Sequence, residues 1–289
     1  MSLIPAHQKD EALLADIDAA DPAAAGGWCV WWLGQSGLLL KTDRGRLLFD
    51  PYLSDSLTEK YADTDKPHVR MSERAIDPSR LTGLDAVTSS HNHTDHLDAQ
   101  TLGPLLDANP NAKLIVPEAN RAFVADRLNI DASRPLGLDA GQSVAVGPFT
   151  IHGVAAAHNT VARDEHGRCK FMGYVATFGA PQGRTAGVYH SGDTLWHDTL
   201  AQELSPFDLD FALLPINGNL PTRRVAGNLW GQEAAALAQA CGVGCVSPCH
   251  YDMFTFNTQT PDAFVAACRE LGQTHRVLRV GERLDANAS

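Results

Sequence analysis

The chain has 289 residues, 44% hydrophobic and 20% charged, with a formal net charge of −11; that balance suits one folded domain with a sizeable core. The acidic charge excludes a general nucleic-acid binder, which needs clustered cations against phosphates, and Arg223-Arg224 is the one tight basic pair. No apolar run reaches the ~20 residues of a membrane span, and the acidic, Ala-rich start is unlike a secretory signal, so a cytoplasmic protein without nucleic-acid or membrane partners is expected.

Residues 1–25 read as an N-terminal extension or helix leading into a single domain over 1–289. Strand signals follow at 28–33 (WCVWWL), 37–42 (GLLLKT) and 46–49 (RLLF), separated by GQS and DRG turns and closed by Asp50-Pro51, which predicts a β-meander. Residues 51–80 lack periodicity and are rich in charge, so they predict a long loop over one face, a length that often carries function. A buried strand at 85–89, a helix at 99–108, a strand at 113–116 and a helix at 118–128 come next. After a turn-rich region, strands are predicted at 143–146, 149–155, 171–178 and 185–191.

The last third alternates helix 200–204, strand 211–215, helix 231–240, strand 243–247, helix 261–271 and strand 276–280. Two β-rich stretches, each followed by αβ units, predict an α/β protein of four-layer αββα sandwich type. The six cysteines, Cys29, Cys169, Cys241, Cys245, Cys249 and Cys268, lie in apolar segments without the spacing of a disulfide framework and read as buried free thiols. The regular spacing in CGVGCVSPCH invites a zinc site, but a helix end, a Gly turn and a strand would scatter the three sulfurs.

The stretch SSHNHTDHLD at 89–98 concentrates His91, His93, Asp95 and His96 in six residues just after a buried strand. Two imidazoles two apart on an extended segment point the same way. Neutral imidazole and carboxylate suit Zn²⁺, Mn²⁺ or Fe²⁺, and four such groups exceed what one tetrahedral ion takes from one loop, so two adjacent centres are expected. His158 in GVAAAHNT, Asp193 in YHSGDT and His250 in SPCHYD each follow an apolar run, where the carboxyl ends of buried strands can bring distant ligands together. The remaining histidines, His7, His68, His152, His166, His197 and His275, lack that setting, although His197 lies near SGDT.

HxHxDH, a lone His, an Asp in an SGD turn and a late His resemble the metallo-β-lactamase superfamily of dinuclear metallohydrolases. The stretches VWWLGQSGLLLKT, SSHNHTDHLD, GVYHSGDT and SPCHYDMF are similar to its L-ascorbate-6-phosphate lactonase branch. That resemblance implies a sandwich fold, His91, His93 and His158 on a first ion, Asp95, His96 and His250 on a second, and Asp193 bridging. It also implies a homo-oligomer and places Asp50 beside the metals, where it would accept a hydrogen bond from a ligand histidine rather than serve only an Asp-Pro turn. The chain departs from the branch in its shorter loops around the cluster and in having His158 where the lactonase places an aspartate, which shifts the expected preference toward Zn²⁺ over Mn²⁺.

Two such ions share a water, lower its pKa toward neutrality and leave a hydroxide poised for attack on a carbonyl or phosphoryl centre. Asp95 is expected to orient it. His190 reads either as an oxyanion donor or as a buried residue bonded to a strand carbonyl. In the loop LPINGNLPTRRVAGNLWG, Arg223 or Arg224 would grip an anionic substrate and Asn217 or Asn228 would add an amide, against the alternative of a solvated loop. A small anionic ester or lactone is therefore the leading substrate class. Phosphodiester hydrolysis and iron-dependent redox chemistry are the alternatives.

Overall fold

In a computed structural model describing residues 2–288, strands β1 (Cys29–Gly34), β2 (Gly37–Lys41) and β3 (Arg46–Phe49) form the expected antiparallel meander. Parallel strands β4 (Ala86–Thr88), β5 (Lys113–Pro117) and β6 (Pro135–Leu138) extend it, and β13 (Arg283–Asp285) closes its other edge, giving the order β13-β1-β2-β3-β4-β5-β6. The second sheet runs β12-β11-β10-β9-β8-β7, with β7 (Ser143–Val146), β8 (Phe149–Ala155), β9 (Met172–Gly179) and β10 (Thr185–His190) antiparallel, then β11 (Phe211–Pro215) and β12 (Cys245–Cys249) parallel to β10. Every residue of β1, β11 and β12 is buried. Strands covered on both faces need continuous apolar runs, and the sequences CVWWLG, FALLP and CVSPC supply them.

The sheets pack face to face through one continuous core. Trp28 meets Phe211 at 5.8 Å and Phe49 stacks on His190 at 5.2 Å. Helices α3 (Ala99–Ala108) and α4 (Arg121–Leu128) flank the first sheet, and α5 (Leu200–Leu204), α6 (Gly231–Ala240) and α7 (Asp262–Leu271) the second, completing the αββα sandwich. The N-terminal helix α1 (Asp10–Ala19) buries Leu13 and Ile17. Lys41 Nζ donates to the carbonyls of Ile17 and Ala20, so a cation satisfies orphan groups at its C-terminus.

Three expectations shift. Residues 276–280 form no strand: the chain meets the edge of β12 in one isolated parallel bridge, His275 with Val246, with the Arg276 amide donating to the Val246 carbonyl, and then leaves that sheet for β13 at the edge of the other. Strand β6 was hidden by its sequence, PLGL, whose Pro and Gly are tolerated because it lies on an edge. Residues 118–120 make a 3-10 turn before α4 begins.

The long segment after β3 is ordered by a small core of its own. Helix α2 (Ser56–Lys60) docks Leu57 with Tyr52, Met253 and Phe254, and Tyr61 packs against them. Arg70, nearly buried, donates to Asp55 Oδ1 at 2.5 Å, to Met253 Sδ and to the Ser54 carbonyl. Residues 52–70 and 251–258 therefore form a cap beside the strand ends. All six cysteines are free, and five are buried.

Candidate metal centre

The chemically distinctive side chains follow the carboxyl ends of strands: Gln35 after β1, Asp50 after β3, the 91–96 loop after β4, and His158, Asp193 and His250 after β8, β10 and β12. Alternating strand directions in the two sheets place these ends together. The ligand atoms fall into two groups, each within 4.8 Å: His91, His93, His158 and Asp193, and Asp95, His96 and His250. Asp193 stands between them, with Oδ2 3.6 Å from His158 Nε2 and Oδ1 2.8 Å from His250 Nε2 and 3.3 Å from His96 Nε2. Asp95 Oδ2 lies 3.6 Å from His96 Nε2.

Nε2 of His91, His96 and His250 and Oδ1 of Asp193 are buried without a hydrogen-bond partner. The close approach of His250 to Asp193 is short but off the bonding direction. Each orphaned atom carries a desolvation cost of roughly 1–3 kcal/mol, so converging several of them without a ligand is unfavourable. Nitrogen and oxygen donors of this kind suit divalent cations, and the residues present fit such a group.

The electrostatics agree. Burial opposes ionisation of Asp193, but His250 and His96 outweigh it and hold its carboxyl well below the usual range. Asp95 is lowered likewise, burial being overcome by His96 and His250. Burial also opposes a charged His96, yet Asp193 and Asp95 raise its proton affinity well above the ordinary value. Burial, reinforced by His96 and His93, pushes His91 well below. A buried spot that still favours positive charge is one a metal cation would stabilise.

Outer contacts fix the rings. Asp50, fully buried, accepts from His96 Nδ1 at 2.7 Å, Thr88 Oγ1 at 2.9 Å, the Ser90 amide at 3.0 Å and the Ser90 hydroxyl. Burial would raise its pKa, but His190 and His96 hold it below the usual value. His158 Nδ1 donates to the Gly227 carbonyl at 2.8 Å, and His91 Nδ1 is 3.0 Å from Ser90 Oγ. With Nδ1–H committed, Nε2 of His158 presents its lone pair to the centre, and Nε2 of His96 would do so once a cation displaces the second proton that Asp193 and Asp95 favour there. Gln35, Asp50 and His250 all adopt left-handed backbone (φ 49, 40 and 62), a cost that accumulates at functional sites.

The remaining candidates separate. His190 has both nitrogens engaged: Nε2–H donates to the Ser36 carbonyl at 2.7 Å, and Nδ1 accepts from the Gly192 amide at 3.1 Å. It has no free donor for an oxyanion, and it instead ties the GQS turn to the SGD turn. Arg223 is corrected as well: its guanidinium is spent on the carbonyls of Asn217 and Thr258 and on Asn257 Oδ1. Asn217 and Asn228 are wholly buried and bonded to each other at 3.0 Å, outside the cleft wall. Arg224 does line the cleft, paired with Asp65.

That cleft, about 510 Å³, opens over both ligand groups. Lys60, Lys66, Arg127 and Arg224 stand in its wall, and its only carboxylates among the described residues are Asp95 and Asp193. Gln35 escaped the sequence reading: its amide nitrogen bridges Asp95 Oδ2 at 2.8 Å and His250 Nδ1 at 3.1 Å. Its place at the carboxyl end of β1, shared with every ligand, was the available signal. His68, Tyr61, Phe254 and Phe256 also line the cleft from the cap, and nothing in their local sequence marks them.

Two mixed sheets between helices, with a His/Asp cluster at the strand ends, define a protein of the metallo-β-lactamase fold. The family described as "Beta-lactamase superfamily domain" matches residues 45–251, a span that holds the whole ligand set, and the chain belongs to that family. It is 25% identical over 262 residues to a "UPF0173 metal-dependent hydrolase" of Myxococcus xanthus, covering 89% of this chain and 83% of that one. It is 22% identical over 269 residues to a "Probable L-ascorbate-6-phosphate lactonase UlaG" of Escherichia fergusonii, covering 81% and 72%. The metallo-β-lactamase fold protein YhfI of Bacillus subtilis superimposes with a TM-score of 0.60 at 19% identity, covering 90% and 99%, a likeness of fold.

Proposed function

We propose that this chain is a metal-dependent hydrolase that holds two divalent ions, zinc or manganese, and opens an ester or lactone bond of a small anionic metabolite. The observation that carries the reading is the set of buried, unpartnered ligand atoms on His91, His96, His250 and Asp193. His91, His93 and His158 would hold one ion, Asp95, His96 and His250 the other, and Asp193 would serve both, since each of its oxygens faces a different histidine group. Bound there, such ions supply an acidified water and a Lewis acid for the substrate oxygen.

The chain's own residues do the rest. Gln35 steadies the Asp95 carboxylate, which faces the cleft and is suited to orient the attacking water. Lys60, Lys66 and Arg127 in the wall, beside Arg224 whose charge Asp65 pairs, offset the chain's acidity locally and favour an anionic substrate, and the cleft volume lies within the range of small-molecule sites. The names of the relatives, a metal-dependent hydrolase and a lactonase, point the same way.

Metal-replete protein should hydrolyse members of a synthetic lactone panel faster than bis(p-nitrophenyl) phosphate. Chelator and His91→Ala should each abolish the activity, and zinc or manganese should restore the chelated protein. Inert, fully metallated protein overturns the reading. Iron with a visible absorption band would move it to redox chemistry.

A further inference from the structure

One histidine of the cleft wall belongs to neither ligand group. His68 sits on the cap, packed among Tyr61, Phe256 and Phe254 with ring centroids at 4.6, 5.1 and 5.3 Å. Its Nδ1 lies 2.7 Å from the Lys66 carbonyl. A carbonyl only accepts, so Nδ1 carries the proton and the neutral ring leaves Nε2 bare. No hydrogen bond from the described residues reaches that atom.

The contrast with His190 is instructive: a histidine serving only structure has both nitrogens satisfied by backbone, as His190 does. His68 has one nitrogen anchored and the other without a hydrogen-bond partner, on a ring that lines the cleft. Burial lowers its proton affinity despite the Lys66 carbonyl and the field of Asp95, with Lys60 and Lys66 adding to the lowering. The ring lines the same cleft as His93, Asp95, His158, Asp193 and His250.

From this geometry, and resting on the ester-hydrolysis reading above, we infer that His68 Nε2 is the proton shuttle of the cleft. It takes the proton that the attacking water releases as the new C–O bond forms, and returns it to the leaving oxygen as the old C–O bond breaks. Water and ester are consumed, acid and alcohol are produced, and the ring ends neutral as it began. An alkoxide needs that proton to depart, whereas a nitrophenolate leaves without it.

The test compares δ-valerolactone with p-nitrophenyl acetate on the metal-loaded protein and its His68→Gln and His68→Phe variants. Phe keeps the aromatic packing and Gln keeps a polar side chain, so a folding defect in one does not disable the other; thermal midpoint and metal content are measured on both. The lactone kcat should fall by about 10²-fold or more, in the range of general acid–base catalysis, and the aryl ester kcat by under about a tenth of that factor. Ring nitrogen NMR of the metal-free protein should show His68 as the Nδ1–H tautomer. An equal fall on both substrates, no fall, or an Nε2–H ring overturns the shuttle while leaving the hydrolase reading intact. A metal-loaded wild type inert toward both esters removes the hydrolase reading, and the shuttle with it.

Discussion

Replacing Asp50 with Asn should damage the centre without touching any ligand. The Asp50 carboxylate is fully buried and takes four hydrogen bonds, the one from His96 Nδ1 at 2.7 Å among them. Asn keeps one acceptor oxygen, enough for Thr88 and the Ser90 amide, but puts an NH₂ where Oδ2 met the Ser90 hydroxyl and His96 Nδ1–H. Donor then faces donor. The ring must turn or give up its Nδ1 proton, and a neutral ring then keeps its proton on Nε2, the atom aimed at the centre. Breaking a buried charge pair on one side costs about 3–5 kcal/mol. Loss of an outer-shell carboxylate typically costs about 10–100-fold in metal affinity, or about 1.4–2.7 kcal/mol. Competition with a chromophoric chelator would read the affinity and thermal unfolding of the metal-free protein the stability. Wild-type values on both would refute the argument that Asp50 sets the His96 tautomer.

Other outcomes follow from the same geometry. Gly192→Ala should unfold the SGD turn locally, because the residue has φ +58 and an added Cβ would lie 2.6 Å from the Met172 carbonyl and from Ser90 Cβ; soluble protein with unaltered metal content would contradict this. His190→Phe keeps the stacking on Phe49 but strands the Ser36 carbonyl and the Gly192 amide, so denaturant unfolding should show a loss of about 2–4 kcal/mol. An unchanged midpoint would count against its role as a tie between turns. For pH, burial depresses His91, His93, His190 and His68, with nearby charges adjusting each, so below about 6.5, the ordinary value of a free imidazole, the unfolded chain binds protons that the fold does not. His96, raised, is protonated in both states there and contributes no slope. Metal-free protein should therefore lose stability as pH falls from about 6.5 to 5, by about 1.4 kcal/mol per pH unit for each fully excluded proton. A melting temperature that rises over that window would refute it.

Much of this was legible one residue type at a time. Metal-binding chemistry uses few donors, so His91, His93, Asp95 and His96 announce themselves by density, and His158, Asp193 and His250 by their place after apolar runs. The same apolar runs predicted most strands of both sheets, because a strand buried on two faces needs an unbroken hydrophobic sequence. The 276–280 stretch misled because strand propensity is local, whereas a ladder needs several successive paired residues, and the chain there touches the edge of β12 at one bridge before passing to the other sheet.

What only the tertiary structure decided were contacts that any polar residue could in principle make. His190 is held by a backbone carbonyl and a backbone amide, His68 by a backbone carbonyl, and Gln35 by the side chains of Asp95 and His250, residues distant in the chain, and none of those pairings leaves a mark in the sequence. Arg223 and Arg224 are adjacent and chemically identical, yet the backbone turns to left-handed at Arg224, sending one guanidinium into loop carbonyls and the other to the cleft. Residue type limits which atoms can bind a cation; only the path of the chain determines which of them face the same volume.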